Sequence, residues 1–186
     1  MTKKFKLTAE VKEFFGIKLF RIEALIDFGN VTAGEKGGYV QKEENLAQYG
    51  DAWVSGDAQV YGDAWVYGDA RVYGDAWVSG DAWVYGDAWV SGDARVSGDA
   101  RVYGDARVSG DARVDRKNKL ITISPIGSEN GVLTAFKQKD NSIMVTRGCF
   151  SGTIDQFAEA VEETHGDNEY GQVYKLAIEM IKKRLN

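Results

Sequence analysis

The chain is short of the residues that carry most site chemistry. In 186 residues it has one cysteine, one histidine and one proline. The lone Cys149 excludes an internal disulfide and fits a reducing compartment. The lone His165 leaves no set of ligands for a histidine-bound zinc. Positive charge is in deficit, with a formal net charge of −5, which disfavours non-specific binding to duplex nucleic acid. No apolar run approaches the roughly 18 residues of a membrane span. The opening MTKKFKLTAEV lacks the apolar stretch of a secretory leader. These absences lead us to expect a cytoplasmic protein with no membrane segment, metal or cofactor. The apolar share, 44%, is enough for a sizeable core.

What is abundant is one hexapeptide. Valine recurs at 54, 60, 66, 72, 78, 84, 90, 96, 102, 108 and 114. Alanine stands two residues before each valine, and Gly-Asp before each alanine. Only two positions vary, one chiefly between Trp and Arg, the other between Tyr and Ser. Such a unit is too short for a helical repeat but suits one short strand and one corner. Glycine supplies a positive φ at the corner. Aspartate is expected to turn inward and accept hydrogen bonds from corner amides. Three units make an 18-residue coil, and coils stack about 4.8 Å apart. Because side chains alternate across a strand, valine inward places both variable positions outward. The fixed residues build the scaffold and the varied ones its surface. A disordered low-complexity tract would lack the valine in every unit.

An aliphatic residue followed four positions later by a small one, as in Val54 and Ala58 or Val60 and Ala64, resembles the hexapeptide-repeat left-handed parallel β-helix. That resemblance implies a mainly β fold of about four coils. Most enzymes of this class are acyltransferases and some are metal-dependent hydratases. They use histidines at the solenoid or an extruded loop, and neither occurs in residues 46–114. We therefore expect no enzyme activity and no catalytic residue, with a degenerate acyltransferase as an alternative. Ice-binding solenoids use threonine rows, which the repeat lacks.

Stacking every eighteenth residue writes out three faces. One carries Trp53, Arg71, Trp89 and Arg107, an order that suits cation–π contacts between coils. The second carries Gln59, Trp77, Arg95 and Arg113. The third gathers Trp65, Trp83, Tyr49, Tyr67, Tyr85 and Tyr103. Arg101, Arg107 and Arg113 end the three columns. An aromatic wall of this extent marks an interface more often than idle stacking. Acidity is confined to the repeat, where eleven Asp face five Arg. Three carboxylates per coil match the charge spacing of duplex DNA, about one per 1.7 Å. That leaves a DNA mimic as an alternative. A calcium ladder is disfavoured because calcium rolls use a nonapeptide.

The flanks differ in character. In residues 1–45, KFKLT, AEVKEF and IKLFRIEAL suggest short strands with a turn at Phe15-Gly16, then a glycine-rich connection from Gly29 to Gly38. They form an N-terminal β cap. In residues 115–186, LITISPI, GVLTAF and SIMVTRG suggest strands of a small α+β domain ending in two helices. Thr153 and Gln156 make a capping box, Gly166 a stop and Asp167 a second N-cap. Tyr170, Val173, Tyr174, Ala177, Ile178, Ile181 and Leu185 form the stripe of the last helix.

The densest chemistry outside the repeat is Arg147 to Thr153 and Glu163 to Asn168. The first presents amides at a helix N-terminus beside Arg147, which suits an anion. Its plainer reading is a strand-to-helix turn with Cys149 and Phe150 buried. His165 at a helix end reads first as a residue satisfying the dipole.

FRIEALIDFGNVTAGEKGGYVQKEENLAQYG ahead of the repeat, and ISPIGSENGVLTAF with VTRGCFSGTIDQFAEAVEETHGDNEYGQVYKLAIEMI after it, resemble a family of uncharacterised bacteriophage and prophage proteins. The resemblance implies expression in an infected bacterium. By analogy it implies counter-defence, through a host protein or a small anionic nucleotide signal. The combined expectation is a non-enzymatic binding or scaffold protein, a homo-oligomer with a trimer favoured. A dimer through the last helix is the competing geometry.

Overall fold

The computed structural model describes residues 2–186. Eleven two-residue strands, β4 (Trp53–Val54) to β14 (Arg113–Val114), follow one another every six residues. They stack in parallel as a β-solenoid of about four turns. One sheet joins β4, β7 (Arg71–Val72), β10 (Trp89–Val90) and β13 (Arg107–Val108). A second joins β5 (Gln59–Val60), β8 (Trp77–Val78), β11 (Arg95–Val96) and β14, and a third β6 (Trp65–Val66), β9 (Trp83–Val84) and β12 (Arg101–Val102). Each pair is in register, Val on Val. Every repeat valine is fully buried and every repeat alanine nearly so.

The corners explain the Gly-Asp pair. Gly56 through Gly110 all have φ between +59° and +73°, while no repeat Asp has a positive φ. At several corners Ala donates back to the residue three before it, as Ala82 N does to Ser79 O at 3.4 Å. A four-residue turn with positive φ only at its first central position is of type II′, and glycine is the residue for that position. The aspartates do not turn inward. The amides of Asp57, Asp69 and Asp75 donate to the carbonyls of Gly74, Gly86 and Gly92 in the next coil. Most of their carboxylates are exposed. Asp69 Oδ1, which accepts from Asp51 N, and Asp99 Oδ1, which accepts from Lys117 N, are local exceptions. The second central turn position, which tolerates Asp and Asn, is what fixes aspartate there.

Both ends are sealed, which a solenoid requires because its terminal coils expose unpaired strand edges. At the start, KFKLT and AEVKEF form a single strand, β1 (Phe5–Phe14), whose register shifts between Leu7 and Val11. It pairs antiparallel with β2 (Ile17–Ala24), which pairs with β3 (Lys36–Val40). β3 lies on β5 and places Tyr39 over Gln59. Gly37 and Gly38 permit this approach, since a Cβ at either would meet backbone oxygens at 2.6 Å. Two carbonyls per corner of the first coil have no preceding coil to donate to them. The Lys4 ammonium takes Gly50 O and Ala52 O at 3.2 and 2.8 Å, and Asn45 Nδ2 takes Gly62 O and Ala64 O at 3.1 and 2.8 Å.

At the far end four antiparallel strands, β15 (Leu120–Ile126), β16 (Gly131–Lys137), β17 (Ile143–Arg147) and β18 (Phe150–Thr153), form a sheet in chain order. Alternation splits its two faces. Phe136, with Leu120 and Met144, joins the valine–alanine core of the solenoid. Leu133, Ala135 and Val145 pack instead with helices α1 (Ile154–His165) and α2 (Glu169–Leu185). Thr134 Oγ1 accepts from Arg107 N, and Thr146 Oγ1 donates to Arg107 O, pinning the sheet to the last coil.

Three local expectations need correction. β18 turns the Arg147–Thr153 stretch into a hairpin, with Cys149 exposed near its tip rather than buried. The second helix is capped by Asn168, not Asp167, because Asn168 Oδ1 receives Gly171 N at 2.9 Å. Tyr170 and Val173 lie outside the buried stripe and are exposed. The Thr153–Gln156 capping box and the Gly166 stop are present.

Candidate functional site

On the third solenoid face, coil stacking sets identical side chains one above another at about the strand spacing of 4.8 Å. The Tyr67 and Tyr85 rings stack 4.9 Å apart at 2°, and Tyr85 and Tyr103 at 5.5 Å and 17°. Trp65 lies against Tyr67 at 4.2 Å and edge-on to Trp83 at 6.0 Å. The Arg101 guanidinium caps Trp83 at 3.9 Å. Burial, with the neighbouring Tyr85, raises the Tyr67 hydroxyl above its ordinary value. The ends of the rack are open: Tyr49 is 62% and Tyr103 45% exposed. Five of the six aromatics expected on this face thus form one continuous rack. Tyr49 stands at its top in a shallow hollow with Leu46 and Trp65.

The other two faces are partly taken by the flanks. Trp53 and Gln59, expected outside, are buried. The Phe5 and Phe28 rings close over Trp53 at 6.4 and 5.3 Å. Phe14 stands edge-on to Trp77 at 4.5 Å, and Arg95 lies over the same indole at 4.0 Å. The three terminal arginines do not converge. Arg101 and Arg107 lie over Trp83 and Trp89, whereas Arg113 Nη1 folds back to donate to Asp93 O and Ala112 O.

A second locus surrounds the hairpin at Gly148. Arg147 and His165 share a cleft of about 360 Å³ with Cys149, Phe150 and Tyr174. His165 stacks on Tyr174 at 5.5 Å and 28°, and Arg147 Nε donates to Tyr174 Oη at 3.1 Å. Arg147 also lines a 270 Å³ cavity with Arg107, between the last coil and the sheet. A third hollow, of about 250 Å³, runs between Trp89 and Ser151. The columns named Trp89 and Arg107, but nothing in the repeat foretells which face the Gly148 hairpin reaches. Among the described residues no group of acidic, His and Cys side chains could hold a metal ion. No helix there is long and apolar enough to cross a membrane.

Coil stacking, inward valines and sealed ends define a β-solenoid repeat protein. Within that class, the family model of the YdcK β-solenoid repeat matches residues 58–74, 64–80, 88–104, 94–108 and 100–116, all but the last two positions of which lie inside the eleven hexapeptides. The repeat segment is similar to the YdcK type. No curated protein matches the chain.

Proposed function

We propose that the protein is a non-catalytic scaffold that assembles with copies of itself through the third face, most simply as a trimer with parallel axes. The observation that carries this is the rack of Trp65, Tyr67, Trp83, Tyr85 and Tyr103. Stiff, stacked rings lose little side-chain freedom on contact, and aromatic residues with arginine are the types enriched at interfaces. The flanks dock on the other two faces and leave this one to a partner. The sense of the coil is taken as left-handed, as the hexapeptide resemblance implies. The resemblance of the flanks to phage proteins supports a setting in the cytoplasm of an infected cell. There a host protein is the alternative occupant of the same face.

Sedimentation velocity on the intact chain and on the Trp65→Ser, Trp83→Ser double variant tests the reading. A trimer that falls to monomer in the variant is expected. A variant that stays assembled removes this face from the self-interface and leaves it to a partner. A monomeric wild type at high micromolar concentration overturns self-association.

A further inference from the structure

Helix α2 buries one apolar stripe and leaves another bare. Tyr174, Ala177, Ile178, Ile181 and Leu185 pack with the C-terminal sheet and α1. On the solvent side Val173, Leu176 and Met180 are 46%, 67% and 48% exposed. Single exposed apolar residues are ordinary, but these three share a register. Positions 169, 173, 176, 180 and 183 follow one another at intervals of four, three, four and three residues, the spacing of a coiled-coil seam.

The seam is apolar in its middle and charged at its ends, and the ends have opposite signs. Glu169 opens it, and Lys183, beside Arg184, closes it. The lysines on the flank of the helix are satisfied within the chain. Lys175 reaches Glu162 and Asp167 at 2.7 and 2.8 Å, and Lys182 reaches Asp155 at 2.6 Å. Glu169, Lys183 and Arg184 are exposed and, among the described residues, belong to no ion pair. Turned about a two-fold axis at Leu176, the seam meets itself. Leu176 then faces Leu176 of the second copy, Val173 faces Met180, and Glu169 faces Lys183. This antiparallel order also opposes the two helix dipoles. A parallel pair would set Glu169 on Glu169 and Lys183 on Lys183, and like charges along a seam select against that orientation.

We infer that α2 pairs with α2 of a second copy of this chain, antiparallel about Leu176. The contact is isologous, with one patch serving both sides. It is separate from the third face of the solenoid and joins one assembly of the chain to another. Three apolar layers make a small contact, of the weak class that buries less than roughly 1,200 Å². Its dissociation constant is expected at roughly 100 μM to 1 mM, so it forms only at protein concentrations above those that assemble the third face.

Sedimentation equilibrium from micromolar to millimolar concentration tests it, on the full chain carrying Trp65→Ser and Trp83→Ser so that this contact is isolated. A monomer–dimer equilibrium is expected. Leu176→Glu should weaken it about tenfold or more. Melting should change little, because the position is exposed and glutamate favours a helix. Glu169→Lys and Lys183→Glu should each weaken pairing several-fold, and the two together in one chain should recover most of the loss. That recovery cannot come from a firmer helix, since both swaps oppose the macrodipole. A chain that stays monomeric at millimolar concentration overturns the pairing, as does a dimer indifferent to Leu176→Glu. A double swap no better than its parts overturns the antiparallel order. If the solenoid variant remains a trimer, the same series reads the pairing of trimers, so the third face and this contact fail separately.

Discussion

The Lys4 ammonium stands 2.8 Å from the carbonyl oxygen of Ala52, inside the seal at the start of the solenoid. In every later coil the equivalent carbonyl takes an amide from the coil before it, as Ala70 O takes Trp53 N. Lys4 replaces a missing strand with a side chain. Burial pushes its pKa down to about 8, against the opposing pull of Asp51 and Asp69.

That shift predicts a pH dependence. The folded pKa lies below the unfolded 10.5, so above about pH 8 the unfolded chain holds the extra proton. The charged amine costs stability below about pH 8, and the cost is relieved as pH rises towards 10.5. Urea midpoints of wild type and Lys4→Met, compared from pH 7 to pH 10, should diverge in favour of wild type by up to about 1.4 kcal/mol per pH unit. Parallel profiles would show that the ammonium is not desolvated.

Val78→Asp should unfold the middle coils. Val78 is fully buried between Val60 and Val96, and a carboxylate there has no partner. A buried unpaired charge costs several kcal/mol. Unchanged circular dichroism and melting would refute the inward placement of valine.

The corner glycines allow a paired test. Gly86 and Gly104 share the same conformation, φ +70° and +60°. A Cβ on Gly86 would stand 2.9 Å from Gly104 N, whereas one on Gly104 meets nothing within 4 Å. Gly104→Ala should cost only the strain of a positive-φ turn position, of order 1–3 kcal/mol. Gly86→Ala should cost visibly more in thermal or urea unfolding. Equal losses would mean that the coils give way without strain.

Acetyl transfer to common amine and hydroxyl acceptors should be undetectable. His165, the one imidazole, stacks on Tyr174 in the C-terminal domain, away from the solenoid coils. Turnover that His165→Ala abolishes would overturn the non-enzyme reading.

The solenoid was legible because its signal is redundant. Eleven valines at one spacing fix register, inward face and coil length together, and five of the six third-face aromatics stack where the columns place them. The buried state of Trp53 and Gln59 was not legible, because what covers them, Phe5, Phe28 and Tyr39, lies far away in sequence. Lys4 as a seal was equally hidden, since its meaning depends on a coil that is absent. Arg147 and His165 were marked by local chemistry, and the structure brings them to one cleft. Aspartate was misread because turn position, rather than side-chain bonding, selects it.

The sealed ends make the solenoid a gauge with two settings. The N-terminal seal reaches the second coil through Phe14 on Trp77, but inside the solenoid the coils repeat the same valine–alanine core. Removing three hexapeptides would bring the seals closer by about 4.8 Å and leave their angular relation unchanged. Removing one would turn the far domain by a third of a revolution and carry the Gly148 hairpin from one face to the next. Chain length in this protein thus sets distance in steps of eighteen residues and azimuth in steps of six. Loss of a single repeat between Tyr67 and Trp83 would shift every later residue by one face, and so would split the aromatic rack as well as turn the C-terminal cleft.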